Sequence, residues 1–395
     1  MKKVLIIGAS ILQLPAIKKA KELGYYVAVA DYNPEAIGIP FADEYFNVST
    51  IDIDGVVKVA QDFKPDGIMT LATDMPMRAV AKACLMLKLP GISYDTAVKA
   101  TDKGEMIKAF EANGVEHPWY YIVPAPGDLN NVIESITYPC IMKPTDNAGS
   151  RGVVLCHSRE ELEKEYEYSH HESRGGAVII EEYLQGAEFS IEVMVVNGEP
   201  HVLQITDKLT TGAPHFVEMG HSQPTRQNTE NQERIRDLAC RAVKAVGINI
   251  GPAHVEMIMT KDGPKMVELG ARMGGDCITT HLVPLSTGID MVASTIKLAC
   301  GEKIDIEPKF NKGSAIRYFE AQNGTIKSIT GIDKAKKIPG IQEISSVHTV
   351  GETVGEIRSS TDRVGFVIAR AEPAEEAIKV CETAINTVSI EVVKE

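Results

Sequence analysis

Two glutamates, Glu256 and Glu268, stand in short apolar runs on either side of a turn in the stretch HVEMIMTKDGPKMVELGARMGG, residues 254–275. The Lys261-Asp262-Gly263-Pro264 segment reads as a hairpin connection, in which Gly supplies a positive φ and Pro ends the turn. Folding about Asp262 sets the two glutamates opposite each other, each six residues from that centre. Like charges directly opposite on antiparallel strands repel. The pair is therefore stable where a cation lies between the carboxylates. Magnesium, a hard ion held by one or two carboxylates plus phosphate oxygens, fits that donor set, and manganese is its substitute.

Other stretches supply what a metal–nucleotide complex needs. In CIMKPTDNAGSRGVV, Lys143 closes an apolar strand, where a lysine is costly unless it meets an anion. Gly149, Ser150 and Gly152 follow in a loop small enough for backbone N–H groups to approach phosphate oxygens. The order of a Walker A loop is absent. Taken alone, this is equally a strand turn beside a snorkelling lysine. In AVIIEEYLQGAEFS a buried strand runs into a connector bearing Glu181, Glu182 and Glu188, acceptors suited to a ribose diol and an adenine amino group. Alone, they also read as solvated surface acids. Arg272, four residues past Glu268, offers a planar fork for a phosphoryl or carboxylate group.

The order of these segments resembles the ATP-grasp superfamily over nearly the whole chain. The resemblance implies a fold of three parts: an α/β pre-ATP-grasp parallel-sheet (Rossmann-like) domain at 1–95, a two-lobed ATP-grasp domain at 96–304, and a small strand-rich α+β domain at 305–395. It implies phosphate-binding roles for Lys103, in TDKGEM, and for Lys143. It puts Glu181, Glu182 and Leu184 at the adenine and Glu188 at the ribose. Glu256 and Glu268 become the metal ligands and Arg272 the catalytic arginine.

One position departs from the pattern. The family's last motif is E-x-N, and here it reads Glu268-Leu269-Gly270. A water, a bidentate Glu268 or a weaker second metal would then replace the asparagine. The run ELGAR and the segment GSAIRYFEAQNGTIKSITGI resemble the L-amino acid ligase branch. The implied reaction is ATP-dependent joining of a carboxylate to an amine through an acyl phosphate. His215, Glu218 and His221 in GAPHFVEMGHSQP, Asp276, and Arg317 in AIRYF are candidates for contact with the substrates. Asp276 is also explicable as an acid at a helix start. Two alternatives stay open: a ligase of a nucleotide pathway resembling phosphoribosylglycinamide synthetases, and a nucleotide-binding regulator without catalysis.

The elements that must hold these residues follow from periodicity. Over the first ninety-odd residues, strands (KVLIIGA, YYVAVAD, DGIMTLATD) alternate with helices, the rhythm of a parallel sheet. Only Gly8 of a dinucleotide fingerprint is present, which argues against NAD there. Further on, antiparallel strands alternate with helices. The segment 210–228 reads as a loop.

Among 395 residues, 54 are acidic and 41 basic, giving a net charge of −13. That excludes a general nucleic-acid binder, which needs a basic surface. Seven cysteines without a C-x-x-C pair indicate a thiol chain from a reducing compartment. No apolar run reaches the 18 residues of a membrane span. The expectation is a cytoplasmic protein with small-molecule partners, no nucleic acid and no membrane. A homodimer, the commonest soluble assembly, is the expected oligomer.

Overall fold

The computed structural model describes all residues except Ala148, Ser150 and Glu395. Strands β1 (Lys3–Ile7), β2 (Tyr26–Asp31), β3 (Glu44–Asn47) and β4 (Gly67–Met69) form a parallel sheet in the order β3-β2-β1-β4. Both faces are covered, which is why β1 is apolar at every core position. Val4 and Ile6 face α1 (Leu14–Glu22) and the helix Met291–Ala299. Leu5 and Ile7 face α2 (Ile53–Phe63) and α3 (Met77–Leu87). The helix Met291–Ala299 thus packs on the first sheet although it lies far downstream in the chain.

Two short helices, α4 (Tyr94–Lys99) and α5 (Lys103–Ala112), lead to a small antiparallel sheet. Ser93 and Asp102 cap them by accepting from the Thr96 and Glu105 amides. The sheet contains β5 (Tyr120–Val123), β6 (Cys140–Pro144), β7 (Val154–Cys156) and β8 (Val178–Glu182) in the order β5-β8-β6-β7. Strand alternation sorts its residues. Cys140, Met142, Val178 and Ile180 join the core with Leu162 and Tyr166 of α6 (Arg159–His171). Ile141, Lys143, Ile179 and Glu181 are left to the opposite face.

The large sheet uses β9 (Ala187–Val196), β10 (Glu199–Thr210), β11 (Glu218–Gln223), β12 (Gly251–Thr260) and β13 (Gly263–Gly270). The C-terminal strands are β14 (Gly313–Phe319), β15 (Gly324–Thr330), β16 (Ile341–Ser346), β17 (Thr353–Val354), β18 (Gly365–Ala371) and β19 (Ser389–Val393). Eight strands run in the order β13-β12-β9-β10-β11-β14-β18-β16, while β17-β15-β19 form a separate small sheet. Residues 218–223, read from sequence as loop, are therefore an interior strand. Their polar side chains hid the pattern: His221, Ser222 and Gln223 are all buried, and Gln223 donates to Thr206.

One face of the large sheet packs on α7 (Thr229–Val246), through Phe189, Ile191, Val193, Val255 and Met257 against Ile235, Leu238 and Val246. α7 is capped by Asn228 and stops at Gly247, whose φ of 92° suits glycine. The alternate residues, Glu188 and Glu192 on β9, Lys208 on β10, and His254 and Glu256 on β12, necessarily share the other face. That face is strongly charged, and the small sheet stands over it.

Candidate active site

The hairpin β12–β13 turns on two residues, Lys261 and Asp262, so that Thr260 pairs with Gly263 and Met257 with Met266. On that register Glu256 would face Val267. A bulge between Glu256 and Met257 absorbs Val267 and restores Glu256 opposite Glu268. The expected pairing is present, but the turn centre lies between Lys261 and Asp262, and the bulge makes up the difference. Pro264 is tolerated because β13 is an edge strand.

Each glutamate of the pair has its own cation. Lys103 Nζ lies 3.0 Å from Glu268. Lys208 Nζ lies 2.9 Å from Glu256, 3.5 Å from Glu218 and 3.7 Å from Glu188. Burial disfavours the Lys208 charge, but these carboxylates outweigh it and hold its pKa well above the ordinary value. Burial likewise works against the Glu256 charge. Lys208 and His254 prevail and keep that carboxyl well below the usual range. Glu188 moves the other way, because burial and the nearby Glu256 and Glu218 outweigh Lys208.

His254 sits two residues before Glu256 on the same strand face. Its Nδ1 lies 2.6 Å from the wholly buried Glu192 and its Nε2 3.2 Å from Glu256. Burial pushes its pKa down, but Glu192 and Glu256 overcome that and raise it to about 9. The ring is thus an imidazolium that donates to a carboxylate from each nitrogen. Neither Lys208 nor His254 was among the candidates read from sequence, although the i, i+2 spacing to Glu256 was a usable signal for the histidine.

Arg272 Nε and Nη2 donate to both oxygens of Asp74, at 2.9 Å each. Asp74 follows β4, so this ion pair joins the first sheet to the β12–β13 hairpin. Gly270 sits beneath it. A Cβ at that position would lie 2.4 Å from Asp74 Oδ1 and 2.9 Å from Arg272 Nε. An asparagine at 270 is sterically incompatible with the closed pair, which is a physical reason for the departure from E-x-N.

Two cavities meet at the glutamates. A cleft of about 650 Å³ between the small and large sheets is lined by Lys143, Gly149, Glu181, Glu182, Leu184, Glu188, Lys208 and Glu218, together with Lys103, Glu256 and Glu268. A second cavity of about 280 Å³ shares Lys103, Glu256 and Glu268 and adds Asp74, Arg78, His254 and Arg272. Lys143 and Glu181 form a buried ion pair at 2.6 Å, and Lys265 holds Glu182 at 2.7 Å. Gly149 and Gly152 have φ of 69° and 76°. Gly152 packs away from the cleft, where a Cβ would strike Pro144 and Glu172 at 2.8 and 2.9 Å. Ser150 lies outside the described residues.

The substrate candidates divide. Glu218 lines the cleft, whereas His215 lines neither cavity. His221 is buried, with Nε2 3.3 Å from Asp276 and Nδ1 without a partner among the described residues. Both Asp276 oxygens are taken by Arg363, at 2.7 and 2.8 Å, and the guanidinium stacks 3.7 Å from the Tyr318 ring. Arg363 was not anticipated; it comes from the C-terminal region. Arg317 is buried and donates to the His221 and Ile316 carbonyls, away from both cavities.

Among the described residues no group of three or more His, Cys, Asp or Glu is placed to hold a metal unaided. The facing carboxylates, each now neutralised by a lysine, do fit a hard divalent ion whose remaining ligands are phosphate oxygens and water.

An ATP-grasp domain family matches residues 136–280, and an L-amino acid ligase C-terminal domain family (domain 2) matches residues 317–393. Alanine–anticapsin ligase of Bacillus subtilis is 28% identical over 324 residues, covering 75% of this chain and 67% of the relative. Among solved structures, the L-amino acid ligase of Bacillus licheniformis matches with a TM-score of 0.86 at 24% identity, over 100% of this chain and 99% of that one. Phosphoribosylglycinamide synthetase of Anaerococcus prevotii matches with a TM-score of 0.80 at 24% identity, over 99% and 100%. The fold is that of the ATP-grasp ligases.

Proposed function

With an ATP-grasp domain and an L-amino acid ligase C-terminal domain in one chain, the protein is an ATP-dependent ligase, and we propose that it joins two amino acids through an acyl phosphate. The observation that carries this reading is the junction of two cavities at Glu256 and Glu268, one cavity of nucleotide dimensions and one of amino-acid dimensions.

ATP occupies the larger cleft. Glu181, Glu182 and Leu184 meet the adenine, Glu188 the ribose diol, and Lys103 and Lys143 the phosphates. Glu256 and Glu268 hold magnesium, which supplies charge neutralisation at the phosphates when bound. A substrate carboxylate oxygen attacks the γ-phosphorus, the bond to the β–γ bridging oxygen breaks, and ADP leaves. The amine then attacks the acyl carbon, phosphate departs, and the nitrogen loses a proton. Arg272 stabilises charge on the transferring group. Asp74 uses two of its five N–H groups and the Met273 carbonyl one, at 3.3 Å, which leaves two for phosphoryl oxygens. Manganese is the substitute ion to test beside magnesium.

A second reading, a phosphoribosylglycinamide-type ligase, is favoured by the full-length likeness to that synthetase. It uses the same carboxylate–amine chemistry on a phosphorylated amine. The retained Lys143, Glu256, Glu268 and Arg272 weigh against a regulator without catalysis. The partners on either ligase reading are small molecules, and among the described residues no single helix is long and apolar enough to cross a membrane. The test is ADP release from MgATP over all amino-acid pairs, with product mass measured. A dipeptide mass with stoichiometric ADP is expected; no stimulation by any pair refutes the assignment.

A further inference from the structure

The second cavity holds a cation that the mechanism does not use. Arg78 lies in the first turn of α3, where a positive charge opposes the helix dipole. Its Nε donates at 2.7 Å to Thr101 Oγ1, which in turn donates to the Ala97 carbonyl at 2.8 Å, so the guanidinium is aimed rather than loose. Among the described residues no carboxylate lies within ion-pair distance of it. The other interior cations of the cavity are all paired: Lys103 with Glu268, Arg272 with Asp74, and His254 with Glu192. Asp146, the remaining acid of the lining, is saturated by Ser173 Oγ and the Arg174 and Gly175 amides. A half-buried guanidinium without an anion, on a cavity wall, is poised for one from a ligand.

We propose that Arg78 anchors the carboxylate of the amine substrate. This rests on the ligase reading above. The carboxylate to be phosphorylated must lie at the rim shared by the two cavities, beside Glu256 and Glu268. A carboxylate at Arg78 is therefore a second one, and a simple amine has none. The amine substrate is then an amino acid or a peptide bound through its carboxyl end. The walls around Arg78 include Ile53, Ala79, Tyr94, Ala100, Met106 and Leu269, which suit an apolar side chain. A phosphate ester could use the same cation. One guanidinium in an apolar wall favours the less charged carboxylate.

The test uses the full chain, R78M and R78K, amino acids, and their carboxamides as amine substrates. R78M is expected to raise the amine's KM at least about tenfold, with ATP and acid-substrate KM unchanged. R78K is expected to retain part of the affinity. The carboxamide should show the raised KM in the unaltered enzyme and no further rise in R78M. An R78M effect confined to the acid substrate, or equal effects on amino acid and carboxamide, overturns the proposal.

Melting temperature measured with the same panel needs no turnover. A shift from amino acids but not carboxamides, lost in R78M, supports the anchor even if no pair releases ADP, and the failure then belongs to the ligase reading alone. Shifts independent of Arg78, or no shift together with an unchanged KM, overturn the anchor even if ADP is released. A larger Arg78-dependent shift with ribose 5-phosphate than with any amino acid overturns the carboxylate assignment.

Discussion

Arg272 and Asp74, 198 residues apart in the chain, close a two-pronged ion pair directly above Gly270. The pair makes position 270 and position 74 one steric unit. Gly270→Asn is expected to force Asp74 off Arg272 and to destabilise the protein by about 1–3 kcal/mol. In an Asp74→Gly background the same asparagine has room, so its added cost should be much smaller. Urea unfolding of the two single variants and the double variant measures this coupling. Additive costs would show that the two positions are independent.

Glu268→Gln keeps the shape of the side chain and removes its charge. We expect turnover to fall by roughly two orders of magnitude or more, with half-saturating magnesium shifted upward. Steady-state ADP release across a magnesium series is the measurement. An unchanged rate and magnesium dependence would refute a metal role for Glu268.

His254 links stability to alkaline pH. Its folded pKa, about 9, lies above the ordinary value near 6.5. The stabilisation is therefore complete below pH 6.5 and is lost as pH rises through 9. Its full size is on the order of 3 kcal/mol, from the shift between those values. Unfolding free energy of the metal-free protein, measured in chelator from pH 6 to 10, should fall across that window. The slope should be reduced in His254→Asn, and an identical slope in that variant would contradict the assignment.

Asp276 acts at the acid end. Burial alone would raise its pKa, but the Arg363 fork and His221 hold the carboxyl far below its ordinary value. A depressed folded pKa gives stability that is present above about pH 4, the unfolded value, and lost as pH falls through the folded one. Asp276→Asn should remove that part of the acid dependence and lower stability at pH 7. Acid titration of both proteins by circular dichroism tests it, and coincident curves would count against the ion pair.

The sequence made the hairpin legible because glycine, proline and paired acids are local signals. The bulge was not legible: Val267 is absorbed only because β9 and β13 fix β12 from both sides. Lys143 and Glu181 were found singly, but their pairing depends on the diagonal register of β6 and β8, which no local pattern encodes. β11 was missed because its buried positions are polar and its partners come from β10 and from β14, nearly a hundred residues downstream. Arg363 as a site residue and Asp74 as the partner of Arg272 were invisible for the same reason. Each acquires its role from a distant partner.

The unbroken run from β11 into β14, β18 and β16 has a consequence for how the chain can be cut. Shortening the protein before residue 313 would strip the hydrogen-bonding partner from one whole side of β11 and leave a raw sheet margin beside Glu218 and His221. The last eighty residues are thus not a detachable appendage but the flank that keeps the large charged sheet from seeking another chain to pair with.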